Sequence, residues 1–184
     1  SNAIGKALDK ISDAGAEIVE RPVPEFAEAF ELVARHGNII SAEASALWRE
    51  LVDQRGDEMY WGIRSRFDLA KNLTAIDAES AHIGLKAIAA QFRTRVAGYA
   101  AVVHPTCPRV APPIADLQDD PTAYDDANLA MTRNTRLGNI METCGITVPC
   151  QTDDQLPVGL SFMALGNREG MVLRLGRAAE DALI

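Results

Sequence analysis

Apolar residues recur along the first third of the chain at intervals of three and four, the spacing that gathers side chains on one helical face. Ile4, Leu8 and Ile11 open this pattern and Gly15 is placed to stop it, which predicts a first helix. Residues 16–19, ahead of Pro22 and Pro24, read as a short strand. From 25 to about 54 the pattern is helical again, broken near His36-Gly37-Asn38. Ser41 reads as the N-cap before Ala44, Leu47, Trp48 and Leu51. A further helix is expected over 59–73. Thr74 with Asp77 forms a capping box in which Asp takes the Glu position, and Ile76, Ile83, Ile88, Phe92, Val96 and Tyr99 then predict one apolar stripe on the longest helix.

The rhythm changes after residue 99. Residues 100–103 are wholly apolar and precede Pro105, the signature of a strand buried on both faces, and so expected in the middle of the sheet. Five of the nine prolines fall between Pro105 and Pro121, forcing an irregular but ordered loop. A helix over 125–136, strands over 145–150 and 158–164, and a closing helix over 168–183 follow. Val172, Leu175, Ala179 and Leu183 of that last helix are expected to point inward. Strands alternating with helical runs give an α/β class, a mixed sheet flanked by helices.

Length and charge narrow what such a fold does. The 184 residues suit one domain, and 47% hydrophobic with 24% charged residues fits a globular chain and excludes collagen-like and disordered classes. A formal charge of -8 opposes phosphate backbones and anionic lipid surfaces, so neither nucleic acid nor a membrane is an expected partner. The longest apolar stretch, 96–103, is far below the ~20 residues that cross a bilayer. Cys107, Cys144 and Cys150 are odd in number and lack CxxC spacing, which predicts free thiols and a cytoplasmic setting. Ser1-Asn2-Ala3 resembles what cleavage of an affinity tag leaves. With 4–184 as the native stretch, starting inside a helix without an initiator Met, a piece of a longer protein is expected.

Candidate chemistry is sparse. No serine stands in GxSxG or SxxK, and several read as caps or helix-face residues. His36, His82 and His104 lack HExxH or Cys/His ligand spacing, so no metal or other cofactor is expected. His104 and Cys107 flank Pro105-Thr106 and suggest a thiol dyad, but a proline-pinned turn gives the imidazole little freedom to reach the sulfur. Neither a Walker loop nor GxGxxG is present to cradle a nucleotide. Arg133 and Arg136, in Thr-Arg-Asn-Thr-Arg, offer guanidinium forks for a carboxylate beside Thr and Asn donors, or else simply a solvated helix face.

Three ordered motifs carry a family resemblance. They are VHPTCP over 103–108 with Ala111-Pro112-Pro113-Ile114, then GNIMETCGITVP over 138–149, then Leu156-Pro157-Val158-Gly159-Leu160. A final helical run ends near Glu180. In this order they resemble the C-terminal part of the amidase signature family. Residues 7–17, and Arg66 with 74–79, are compatible with its helical regions, so the resemblance spans nearly all of 4–184. At 142–145 the chain has Glu-Thr-Cys-Gly where the family often has Pro. The resemblance implies amide hydrolysis or transfer by a nucleophilic Ser, a bridging Ser and a Lys base on a Gly/Ser-rich stretch upstream of every residue here. Lys6, Lys10, Lys71 and Lys86 match no such motif, so no catalytic residue is expected in this chain. Thr132 and its neighbour Arg133 fall near a family position facing substrate. The expected partners are a small-molecule amide and a second copy of the chain. The alternative is a non-enzymatic binding or structural subunit built on the same half-fold.

Overall fold

The computed structural model describes residues 2–151 and 156–184, so Ser1 of the tag-like triplet lies outside the described residues. The chain divides into two compact units: the N-terminal stretch to Val23 together with Phe92–Ile184, and Pro24–Gln91 between them.

In the first unit, α1 (Asn2–Asp13) is followed after the second unit by β1 (Val102–Pro105), α6 (Pro121–Met131), α7 (Arg133–Ile140), β2 (Thr143–Pro149), β3 (Gly159–Leu165) and α8 (Glu169–Leu183). The strands form an antiparallel sheet of order β1-β3-β2. Strand alternation gives the sheet two different faces. One carries Val148, Leu160 and Phe162, which pack with Ala7 of α1 and Ala179 of α8 into the core, joined by Ile4, Leu8, Ile11, Leu175 and Leu183. Gly176 lets α8 close on β2, since a Cβ there would meet Ile146 Cδ1 at 2.6 Å. The inward faces expected for the first and last helices are those observed.

The expected strand over 16–19 does not form. Among the described residues no strand lies beside it to take its backbone N–H and C=O groups, and Ile18 and Val19 stay exposed. The apolar run before Pro105 forms β1, but at an edge. The central place belongs to β3, whose inner five residues are all buried. The helix expected over 125–136 is two helices. Asp120 caps the first by accepting from the Thr122 and Ala123 amides (2.9 and 3.0 Å), with Pro121 in the first turn. Thr132 breaks it, its hydroxyl donating back to the Asn128 carbonyl at 2.8 Å, a bond that bends helices.

The second unit holds α2 (Glu25–His36), α3 (Ile39–Arg55), α4 (Trp61–Asp68) and most of α5 (Ala75–Val96). Gly37, at φ 83°, makes the expected break. The cap of α3 is Asn38 rather than Ser41: its side chain accepts from the Ile40 amide at 3.0 Å, while Ser41 is buried inside the helix. Of the helix expected over 59–73, only α4 is helical; turns follow, held by a Lys71–Asp68 pair at 2.6 Å. The apolar face of α5 also differs from expectation. Ile76 and Ile83 of α5 are exposed, and the buried stripe runs through Ala81, Leu85, Ile88, Ala89, Phe92 and Val96. On α3, Leu47 is 76% exposed and Trp48 53%; Trp48, Leu51, Val52, Met59 and Phe67 line an apolar groove of about 340 Å³.

The capping box at the start of α5 forms as expected. Thr74 Oγ1 accepts from the Asp77 amide at 3.0 Å and donates to Asp77 Oδ2 at 2.6 Å. The Thr74 hydroxyl, then His36, hold the Asp77 carboxyl below its usual range. A depressed carboxylate stabilises the fold above the unfolded value of about 3.9 and loses that contribution as pH falls through the lower folded value. Asp77→Asn should therefore narrow the stability difference from wild type as pH drops from 5 to below the folded pKa. Denaturation midpoints across that series measure it, and a gap that stays constant would contradict it.

Candidate functional site

The second face of the sheet is polar, and register explains why. His104 of β1 pairs with Ser161 of β3, which pairs with Thr147 of β2, so one row across all three strands points away from the core. Gly145 and Thr143 continue this face along β2. Asn134, Thr135, Gly138 and Asn139 of α7 border it, enclosing a depression of about 230 Å³ that Met163 also lines.

Its hydroxyls form a closed set. Thr106 Oγ1 donates to Thr147 Oγ1 at 3.2 Å and lies 2.7 Å from Ser161 Oγ, which lies 2.9 Å from Thr147 Oγ1. The turn carrying Thr106 is pinned three ways. The Thr106 amide donates to the Gly159 carbonyl (2.8 Å), while the Pro105 carbonyl accepts from Asn134 Nδ2 (2.8 Å) and His104 Nδ1 (2.9 Å). A carbonyl only accepts, so His104 Nδ1 is the donor in that contact. Among the described residues no hydrogen bond joins that ring to Cys107, so the geometry gives the thiol dyad no support. Burial pushes the Cys150 thiol above its ordinary pKa, which suits packing rather than reactivity.

Gly159 makes room for the hydroxyl ring: a Cβ there would stand 2.7 Å from both Thr106 Oγ1 and Thr147 Cγ2. Gly159→Ala should therefore push the Thr106 turn off the sheet, at a cost of about 1–3 kcal/mol typical of overpacking. Amide hydrogen exchange would show it as lost protection at Thr106, with Val148 little changed; equal protection at Thr106 in both proteins would contradict it.

Thr132 and Arg133 lie exposed at the α6–α7 junction, immediately before Asn134. Arg136 Nη2 donates to the Leu129 carbonyl at 3.2 Å, which ties α7 back to α6. Sequence reasoning passed over Thr147, weighed Asn134 only as a donor beside the Arg133 and Arg136 forks, and weighed Ser161 only as a nucleophile. Their signal was the period-two polar set Thr143, Gly145, Thr147 opposite the apolar Ile146 and Val148.

The amidase family model matches residues 1–173. The chain belongs to the amidase family. It is 25% identical over 179 residues to 2-amino-5-chloromuconic acid deaminase of Comamonas testosteroni, covering 97% of this chain and 38% of that protein. A glutamyl-tRNA(Gln) amidotransferase component of Thermoanaerobacter pseudethanolicus is 26% identical over 200 residues, covering 97% of this chain and 40% of that protein. The chain thus spans about two-fifths of the length of these relatives. Among solved structures, the allophanate hydrolase of Kluyveromyces lactis matches 99% of this chain and 29% of its own with TM-score 0.85 and 17% identity. The 6-aminohexanoate cyclic dimer hydrolase matches 99% and 41% with TM-score 0.68 and 20% identity. The arrangement of helices and sheet is the amidase signature fold. No described helix is long and apolar enough to cross a membrane.

Proposed function

We propose that the chain is the C-terminal part of an enzyme that hydrolyses carbon–nitrogen amide bonds, with the Ser-Ser-Lys machinery supplied by residues upstream of Ile4. The observation that carries this reading is a fold matching amidase structures over 99% of the chain, joined to a pocket whose one serine is hydrogen-bonded to no base among the described residues. Ser161 is hydrogen-bonded to two threonine hydroxyls, neither of which takes up a proton at working pH, and no lysine lines the depression. Lys10 and Lys71 are engaged elsewhere, with the Leu183 carbonyl and Asp68. The allophanate and 6-aminohexanoate cyclic dimer hydrolases among its structural neighbours support a small-molecule amide as substrate, and the three free cysteines support a cytoplasmic setting. Thr132 and Arg133, exposed beside Asn134, are proposed to face that substrate.

In this scheme the upstream lysine, desolvated between serines, is neutral and accepts a proton through the bridging hydroxyl, so activity rises as it deprotonates. This half supplies no base and instead walls the cleft. Self-association is proposed as well, supported by the apolar face of α3 and by β1 and β2, each of which pairs only with β3 among the described strands. The test is a chain extended upstream of Ile4, treated with a fluorophosphonate probe and an amide panel. Labelling of an upstream serine together with amide turnover supports the reading. Absence of both leaves amidase ancestry without activity and favours a non-enzymatic binding protein.

A further inference from the structure

Helix α3 is packed inside out. Its buried positions are serines: Ser41 and Ser45 face the interior of their unit, where Ser45 Oγ donates to the Phe67 carbonyl of α4 at 3.2 Å. Its large apolar side chains face solvent instead, with Ile40 50% exposed, Leu47 76%, Trp48 53% and Leu51 47%. A surface helix that answers only to its own core carries these two sets the other way round. At 3.6 residues per turn, Ile40, Ala44, Leu47 and Leu51 fall within an arc of about 60°. Their spacing of four, three and four is that of a coiled-coil seam, with Ile40 and Leu47 at d and Ala44 and Leu51 at a. Glu43 and Glu50 then take the g positions along one flank, and Trp48 and Arg55 take e along the other.

Size and charge say what covers this seam. Its exposed apolar side chains amount to roughly 400 Å², about half of the ~800 Å² that each partner covers in a standard interface, so the contact it supports is weak and concentration-dependent. The charges suit a second copy of the same helix in one orientation. If two α3 helices ran antiparallel, g would meet g and Glu43 of one copy would lie beside Glu50 of the other, like against like. With a two-fold axis along the seam the helices run parallel, and g meets the e position five residues on. Glu50 of each copy then faces Arg55 of the other, so one attractive pair forms twice. Arg55 already forks onto Glu58, but both side chains are 63% exposed, and so exposed a pair holds its arginine weakly enough to share it. Gln54, which donates to Glu50 at 3.3 Å, keeps that carboxylate on the seam side of the helix.

We propose that α3 is the contact between two copies of this chain, paired in parallel about a two-fold axis along the Ile40–Leu51 seam, with Glu50 of each copy on Arg55 of the other. This rests on the self-association read above and assigns it to α3 rather than to the edges of the sheet. Sedimentation velocity of the 184-residue chain from about 5 to 500 µM should show a reversible dimer. Leu47→Glu should abolish it with the circular dichroism unchanged, since the position is too exposed for the change to unfold the helix. Arg55→Glu should weaken the dimer at least fivefold, and adding Glu50→Arg to the same chain should bring it back to within about twofold of wild type, a rescue that damage to the fold would not give. A parallel seam sets each residue opposite its own copy, so Leu47→Cys should cross-link through the two introduced thiols on mild oxidation, the joined peptide being identified by mass spectrometry. A dimer that survives Leu47→Glu would place the contact on the strand edges and overturn this inference alone. A monomer at every concentration would overturn self-association with it. Absent rescue, or absent cross-linking in a chain that dimerises, would refute the parallel pairing, and cross-linking lost in an upstream-extended chain would mean that upstream residues cover the seam. None of these measurements reads amide turnover, so the hydrolytic reading stands or falls by its own test.

Discussion

Leu160→Ala should lower the stability of the chain by about 2–5 kcal/mol, the range for emptying a close-packed leucine site. Leu160 is fully buried on the central strand and packs with Ala7, Val148, Phe162 and Ala179. Two of those neighbours are alanines on helices α1 and α8 and have no length to spare for filling a void. A strand fixed on both edges cannot relax toward them without breaking its ladders with β1 and β2. For a chain near this size each kcal/mol moves the melting midpoint by roughly 2–4 °C, so a drop of about 4–20 °C is expected by calorimetry. Leu47→Ala is the contrast: at 76% exposure it should change stability by no more than about 0.5 kcal/mol. A Leu160→Ala protein melting with wild type would mean that the sheet is not the structural centre of its unit.

That centre was only half legible in the sequence. Residues 158–164 read as a strand, but nothing local distinguishes their burial from that of the equally apolar run before Pro105. Which strand is central depends on pairing across more than fifty residues, which no window along the chain contains. Helix boundaries were legible where a side chain and a backbone group within four residues settle them, as with Thr74 and Asp77. They were misread where two residues compete locally: Asn38 takes the cap ahead of Ser41, and Thr132 returns its hydroxyl to Asn128 and divides one helical pattern into two. Periodicity reports amphipathicity and not what lies opposite: Leu47 and Trp48 of α3 are periodic and exposed. The family was legible because its motifs lie in order along the chain. The polar row was not, since His104, Thr147 and Ser161 meet only through register.

The 184-residue chain alone should hydrolyse no simple amide or ester above the buffer blank, and should run at least 10³-fold below an active upstream-extended chain, since removing a nucleophile and its base costs factors of this order or more. The reasoning is local chemistry. A hydroxyl becomes a useful nucleophile when a neighbouring base takes its proton, and an oxyanion must meet donors as it forms. Ser161 Oγ is hydrogen-bonded to the Thr106 and Thr147 hydroxyls, neither of them a base, and among the described residues it makes no hydrogen bond to His104, so nothing in this geometry activates it. Ser161→Ala and Cys107→Ala should therefore leave the blank-level rate where it is. In the extended enzyme, Thr132→Ala or Arg133→Ala should change KM or substrate preference more than acylation, because both residues belong to the proposed binding wall and not to the proton relay. Steady turnover by the short chain that survives repurification and disappears in Cys107→Ala would reverse this assignment. It would place a thiol nucleophile in the Pro105–Cys107 turn and require that His104 release the Pro105 carbonyl to serve it.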